Sequence, residues 1–135
     1  ADIIQPDICV VGGLLEMRKI AAIAEAFYVP VAPHNPMGPL ATAVNVHFAA
    51  ACPNFKILEY RLPGSAAYLS RNQLKFEQEM SYVCDPYLPV DGHLELRPDQ
   101  AGWGVKIDET YLQTDHYIHW ERKLPRRPDG STAYT

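Results

Sequence analysis

ADIIQPDICVVGGLLEMRKIAAIAEAFYVPVAPHNPMGP, residues 1–39, decides the fold class of this 135-residue chain. Asp2 to Val10 is rich in β-branched residues, with Ile3, Ile4, Ile8 and Val10, and it runs into Gly12-Gly13. Such a run, closed by a glycine pair, predicts a buried strand followed by a tight turn. From Leu14 to Phe27 the apolar residues Met17, Ile20, Ala21, Ala24 and Phe27 recur at helical spacing. Glu16, Arg18, Lys19 and Glu25 mostly take the other face. Tyr28 to Ala32 is a second short apolar run, ended by the turn-rich stretch Pro33 to Pro39.

The same rhythm continues for one more unit. Leu40 to Ala51 predicts a helix with Leu40, Val44, Phe48 and Ala51 on one stripe, and Pro39 suits its first turn because no helical hydrogen bond is sacrificed there. Phe55 to Tyr60 predicts a third strand. Strand, helix, strand, helix, strand with short connections implies parallel β/α units, so the fold class is α/β. After Arg61 the rhythm is lost. Ser65 to Phe76 is compatible with a short helix, and Leu88 to Ile107 reads as irregular β structure around the turn signals Asp91-Gly92 and Gly102-Trp103-Gly104. Pro128-Asp129-Gly130-Ser131 is a further turn. Three parallel β/α units do not close a fold by themselves, since a barrel of this kind takes roughly 250 residues and eight strands. The expectation is therefore a piece of a larger barrel, and a first residue other than Met running directly into a strand agrees with it.

Composition excludes several function classes. With 47% apolar and 21% charged residues the chain is globular, and a net charge of -4 leaves no basic footprint for nucleic acid. The nearest thing to a basic cluster, Arg122, Lys123, Arg126 and Arg127, is interrupted by proline and reads as a solvated tail. No apolar run approaches the roughly 20 residues of a membrane span, and the first residues show no signal-peptide pattern. Cys9, Cys52 and Cys84 are odd in number and far apart, which predicts reduced, mostly buried thiols in a cytoplasmic protein.

In a barrel, catalytic side chains sit where strands end and loops begin. That rule nominates one ionisable residue per predicted strand: Asp7, His34 and Glu59. An Asp beside a His orients the ring and stabilises its protonated form, so the two together can move a proton. Each alone has a plainer reading: Asp7 as a cap or turn residue, His34 as a surface residue in a proline-rich loop, Glu59 as an ion-pair partner of Arg61 or Arg71. Three in succession at corresponding positions outweigh those readings. His116 and His119 are three apart, but no third zinc ligand accompanies them, and Gly12-Gly13 lacks the spacing of a dinucleotide loop.

ADIIQPDICVVGG at residues 1–13, RKIAAIAE at 18–25 and APHNPMGP at 32–39 resemble the last barrel strands of galactonate dehydratase and its relatives. These belong to the mandelate racemase branch of the enolase superfamily. Trp120 and the stretch RRPDGS at 126–131 resemble the C-terminal tails of that group, while the likeness weakens between Gly64 and Pro89. The resemblance implies a modified TIM-type (β/α)7β barrel, with residues 1–75 as its last β/α units and residues 76–135 as an irregular segment packing toward a capping domain. It implies elimination of water from a sugar acid such as galactonate, by a homo-oligomer in the full-length protein. On it, His34 is the general base that removes the proton α to the carboxylate, Asp7 is its partner, and Glu59 hydrogen-bonds the carboxylate oxygen as the enediolate forms. Asn35 and Met37 follow the base and are the candidates for substrate contact.

The resemblance also implies Mg²⁺, which offsets the charge that accumulates on the carboxylate. Its ligands and the acid that protonates the leaving hydroxyl lie on earlier strands in that family. Asp2, Glu16 and Asp85 do not occupy equivalent positions, so no metal ligand is assigned in this chain, and the 135 residues alone are expected to be inactive. Trp103 and Ala101 depart from the family's Pro-Gly-x-Gly turn, which has a smaller apolar residue and a proline there. The same Asp-His pair also suits rhamnonate, mannonate or gluconate dehydratases, racemases and cycloisomerases, because only the fate of the enediolate differs. A truncated homologue serving as a binding or assembly module is the non-catalytic alternative.

Overall fold

A computed structural model describes residues 1–61, 82–113 and 126–131. Two helices follow the first two extended segments: α1, Leu14–Ala26, and α2, Pro39–Ala50. Both start at a glycine with almost the same backbone, Gly13 at φ 94, ψ -173 and Gly38 at φ 97, ψ -175. A positive φ of this size is strained for any residue with a Cβ, so glycine at both positions sets where each helix begins. A short third helix, α3, covers Glu109–Leu112. Its cap is Asp108, whose carboxylate accepts from the Thr110 and Tyr111 N–H groups.

The three extended segments pair in parallel at isolated bridges, Ile4 with Val31, Asp7 with His34, and Val31 with Phe55. Val31 takes part in two of these bridges, so the second segment lies between the other two. Proline explains why bridges do not lengthen into ladders. Ile4 donates to Pro30 O at 3.1 Å, Ala32 to Ile4 O at 3.0 Å and His34 to Pro6 O at 3.1 Å. The rung that residue 6 would donate is absent because proline has no N–H. On the other side Val31 donates to Asn54 O and Lys56 to Val31 O, each at 2.9 Å, and the rung due from residue 33 is again lost to a proline. The next bond, at 3.4 Å, comes from Glu59 N to Pro33 O. Two residues of the middle segment are thus matched by three of the last, a bulge that fixes where Glu59 falls.

The first strand, expected to reach Val10, ends instead at Asp7. Its carbonyl accepts from Val10 N at 3.0 Å and Val11 N at 2.9 Å, while its carboxylate accepts from Cys9 N at 2.8 Å. An Asp that bonds the backbone two residues on makes a turn, and this overrides the β-branched run that follows it. The helices match expectation to within a residue at each end. Phe27 is the exception on α1: at 75% exposed, it lies beyond the buried face formed by Met17, Ala21 and Ala24. On α2, Phe48 is buried and Val44 packs against the core, but Leu40 is exposed, and Thr42 and Asn45 are buried instead.

Ile8, Met17, Ala21, Ala24, Val31 and Phe48 form one core cluster between the extended segments and the helices. A second joins Ala43 and Val46 of α2 to Tyr87. The segment carrying Tyr87 is the irregular β region that the turn signals anticipate. Val83 bridges Ile107 and Val90 bridges His93, both antiparallel, and the second encloses Asp91 at φ 49 and Gly92 at φ 78. Two successive positive φ values make the hairpin turn that Asp-Gly favours. Arg97 ties the region together: its guanidinium donates to the carbonyls of Asp85, Pro86 and Gly104 and lies 4.3 Å over the Tyr87 ring. Tyr60 Oη donates to Tyr87 O at 2.7 Å, which anchors the third extended segment to it.

Trp103 meets His47 edge to face, with ring centroids 5.4 Å apart. The turn at Arg127 to Ser131 is present, Gly130 N donating to Arg127 O at 2.9 Å. The cysteines are free, as expected, but Cys9 and Cys84 are exposed and only Cys52 is half-buried. The expectation of burial fails because Cys9 falls in the turn after Asp7 and Cys84 beside the exposed Asp85. The expected helix at Ser65 to Phe76, the boundary at residue 75, His116, His119 and Trp120 lie outside the described residues. No helix among the described residues is long and apolar enough to cross a membrane.

Candidate functional site

Asp7 and His34 stand one bridge beyond Ile4 and Val31 on adjacent parallel segments, so they emerge at the same end. Their side chains meet, with His34 Nδ1 2.9 Å from Asp7 Oδ2. Asp7 is 7% exposed and its other oxygen is held by the Cys9 N–H, so the carboxylate has a fixed orientation. A carboxylate can only accept, which puts the proton of a neutral His34 on Nδ1 and leaves Nε2 as a base. Asp7 thus selects the tautomer. The imidazole is half exposed, as a group that receives a proton from a bound molecule must be.

Glu59 completes the arrangement from the third segment. Its Oε2 lies 3.9 Å from His34 Nε2, close enough for an ion pair and too far for a hydrogen bond. The same oxygen accepts from the backbone N–H of Asn35 at 2.9 Å. His34 is therefore flanked by a carboxylate on each ring nitrogen, one bonded and one held back. The structure brings together all three residues nominated from the strand ends.

Asn35 does something other than expected. Its side chain is 2% exposed, and its amide donates to Thr42 Oγ1 at 2.9 Å and to Glu59 O at 3.0 Å, while its Oδ1 accepts from Asn45 Nδ2 at 3.0 Å. Its amide is engaged inside the protein, where it joins the His34 loop to α2 and to the third segment. Met37 is 46% exposed and stays available at the surface of the same loop. Sequence reasoning does not single out Thr42 and Asn45. Their signal is nonetheless present, since they are polar residues three apart on the inward face of the helix PLATAVNVHFAA, whose remaining residues apart from His47 are apolar.

Cys9 follows Asp7 in the turn. Its thiol is held above the ordinary range, first by desolvation and then by the Asp7 charge, which keeps it protonated. Burial likewise raises Tyr60, whose hydroxyl serves as the anchor to Tyr87.

A family model described as enolase C-terminal domain-like matches residues 1–111. The chain belongs to the enolase superfamily. D-xylonate dehydratase of Haloferax volcanii is 39% identical over 107 residues, covering 79% of this chain and 23% of that protein. D-galactonate dehydratase of Ralstonia pickettii is 34% identical over 139 residues, covering 97% and 33%. The crystal structure of an enolase from Agrobacterium radiobacter, a candidate galactarate dehydratase with sodium and L-malate bound, superposes at a TM-score of 0.77. It is 64% identical and covers 100% of this chain and 35% of that one. This enolase-superfamily chain spans between 23% and 35% of the length of these relatives. The parallel β/α units are those of the superfamily's C-terminal, barrel-forming domain, and the resemblance to galactonate dehydratases holds along nearly the whole chain.

The superfamily's divalent metal finds no cage in the described residues. No three His, Cys, Asp or Glu side chains among them are grouped to hold a metal ion. Both Asp7 oxygens and one Glu59 oxygen are already engaged with N–H groups. The described residues do not fit a Mg²⁺ site.

Proposed function

We propose that this chain supplies the proton-transfer part of an acid-sugar dehydratase, with His34 as the base, Asp7 as the group that sets its tautomer, and Glu59 as the hydrogen-bond partner of the substrate carboxylate. The 2.9 Å contact between His34 Nδ1 and Asp7 Oδ2 carries this reading, since without it Nε2 is not defined as the acceptor. The substrate class comes from relatives that act on xylonate and galactonate.

The bonds follow from these positions. Nε2 takes the proton from the carbon α to the carboxylate, and the C–H electron pair becomes the enediolate. Glu59 in its acid form donates to the carboxylate oxygen that gains charge. Its Oε2 is occupied by Asn35 N–H, so Oε1 carries that proton. The electron pair then re-forms a carbonyl as a carbon–carbon double bond develops, and the C–O bond to the β-hydroxyl breaks. A proton delivered from a group outside the described residues releases that oxygen as water. The enol product tautomerises to a 2-keto-3-deoxy sugar acid. Met37, exposed in the same loop, is the residue proposed to contact the sugar acid. On this reading the ligands of a divalent cation of the kind the superfamily uses lie upstream, outside this chain.

The same reading makes residues 1–75 the last units of a (β/α)7β barrel and residues 76–135 a segment toward a capping domain. It further proposes a cytoplasmic homo-oligomer in which the isolated 135 residues show no turnover. The test uses the whole protein with xylonate, galactonate and galactarate in deuterated water. His34→Asn is expected to abolish exchange of the α-proton while the circular dichroism spectrum is retained. Exchange at the unaltered rate would remove His34 from this role.

A further inference from the structure

The site contains a buried polar chain that the chemistry above does not use. We infer that Asn45 is a positioning residue: through Asn35 it fixes the N–H that holds the Glu59 carboxylate facing His34. The inference rests on the proton-transfer reading of Asp7, His34 and Glu59, but one of its measurements does not.

Burial demands an explanation for Asn45. It is 0% exposed, in the middle of α2, its Oδ1 has no partner among the described residues, and an amide taken out of water is costly unless it is hydrogen-bonded. An apolar residue at this register would pack into the same helix face with no such cost. The direction of every bond in the chain follows from what each atom can do. Glu59 O can only accept, so the Asn35 atom 3.0 Å away is its NH₂ group. Gly38 O can only accept as well, so the Thr42 hydroxyl gives it its proton over 3.1 Å and must itself accept from Asn35 at 2.9 Å. Both amide hydrogens of Asn35 are then spent. Its remaining atom is the oxygen, which needs a donor, and the NH₂ of Asn45 provides one at 3.0 Å.

Asn35 in turn grips Glu59 twice, by its side chain to the backbone carbonyl and by its own N–H to Oε2. The second grip matters because Glu59 is half exposed and, besides it, the carboxylate has the longer 3.9 Å ion pair with His34 Nε2. Without the donor from Asn45, Asn35 Oδ1 is left buried and unbonded, and the side chain gains by turning. Turning releases Glu59 O and loosens the N–H at Oε2. A polar bridge that merely joined α2 to the loop would stabilise the fold without affecting that N–H.

The two roles separate in the whole protein labelled with ¹⁵N. Asn45→Leu is expected to speed exchange of the Asn35 backbone amide with D₂O by roughly tenfold, the effect of losing one buried bond, while the Val31 amide is unchanged. Thr42→Val keeps the helix volume and is expected to act in the same direction, which covers the case in which Asn45→Leu does not fold. With the acid sugar that the protein turns over, Asn45→Leu is expected to lower kcat by roughly tenfold with KM within about twofold. Adding Glu59→Gln to it should then cost little more than Glu59→Gln alone. Unchanged Asn35 exchange, or equal loss of protection at Asn35 and Val31, overturns the inference. If no acid sugar is turned over by the unaltered protein but Asn35 loses protection as stated, the dehydratase reading falls and the positioning of Glu59 stands.

Discussion

Replacing Asp7 with asparagine separates the tautomer of His34 from everything else that Asp7 does. The two side chains have the same shape, and in Asp7→Asn the amide oxygen would keep the bond that Cys9 N now makes to Oδ1 at 2.8 Å. What changes is the atom 2.9 Å from His34 Nδ1, which becomes an NH₂ group that can only donate. A neutral ring answers by moving its proton to Nε2, and the base is then already protonated. To act, the ring must return the proton to Nδ1 against that NH₂ group. This forfeits a charge-assisted hydrogen bond of about 1.5–3 kcal/mol and leaves a part-buried donor unmatched, at a further cost of about 1–3 kcal/mol. A combined cost of about 2.5–6 kcal/mol slows α-proton removal by roughly 10²- to 10⁴-fold. The turn bond survives, so stability should change by less than about 1 kcal/mol. Proton NMR of the acid sugar in D₂O reads the exchange in the whole protein, and thermal melting reads the fold. Exchange within about threefold of the unaltered protein would show that Asp7 does not set the tautomer.

Other expectations follow from packing and charge. Met17 is 0% exposed at the centre of the first cluster, so Met17→Ala should cost about 2–5 kcal/mol in a denaturant titration; a loss under about 1 kcal/mol would mean that the α1 face is not closely packed. Gly104→Ala would place a Cβ 2.5 Å from Tyr87 Oη at a φ of +69, so it should lower the melting temperature and alter the near-ultraviolet signal; an unchanged melt would contradict the Arg97–Tyr87 packing. The Asp108 carboxyl is held below the usual range, first by the Thr110 hydroxyl and then by the Tyr111 N–H. Its support of α3 is therefore present above the ordinary carboxylate range and lost as pH falls through the lowered folded value. Amide exchange at Thr110 and Tyr111, compared from about pH 5 down to about pH 2, should accelerate across that window beyond the intrinsic dependence and should be flat in Asp108→Asn.

The helices are readable from sequence and the extended segments only partly so. α1 and α2 are long enough for apolar spacing to average over several turns, and their glycine starts are marked. The extended segments are short, and in each the decisive influence is a single residue whose effect periodicity does not capture. Asp7 turns the chain where Ile8 and Val10 argue for more strand, and Pro6 and Pro33 delete rungs that hydrophobicity alone would grant. Asp7, His34 and Glu59 can be named because the rule about strand ends needs only approximate boundaries. The inward turn of Asn35 is not legible, because adjacency to a base in sequence says nothing about which way a side chain turns. Its partners Thr42 and Asn45 lie on the next helix, and only the packing of α2 against the loop brings them within hydrogen-bond reach.

Those same prolines and glycines account for why the site residues meet at one end. A parallel pair holds its residues in register only while rungs continue, and here they stop at the residues where chemistry begins. Past the last rung on each of the first two segments the chain must reach the start of a helix, and a glycine with strongly positive φ sets that start at Gly13 and at Gly38. Asp7 and His34 therefore occupy the short interval between an interrupted ladder and a fixed helix start, where backbone direction is set from both sides. Glu59 reaches the same rim by a different route, through the extra residue in the bulge between Lys56 and Glu59. Had the third segment kept the two-residue period, residue 58 would have taken the place opposite Pro33, and Leu58 carries no charge. The bulge is thus as necessary to the site as the carboxylate it delivers. Inserting one alanine between Lys56 and Ile57 would put Leu58 in the place opposite Pro33, and it should remove Glu59 from His34 while leaving the Asp7–His34 contact in place. Imidazole ¹⁵N shifts read that contact in the whole protein, and they should still report a proton on His34 Nδ1 while α-proton exchange falls as far as in Glu59→Gln. Exchange at the unaltered rate after the insertion would mean that the register after Lys56 does not place Glu59.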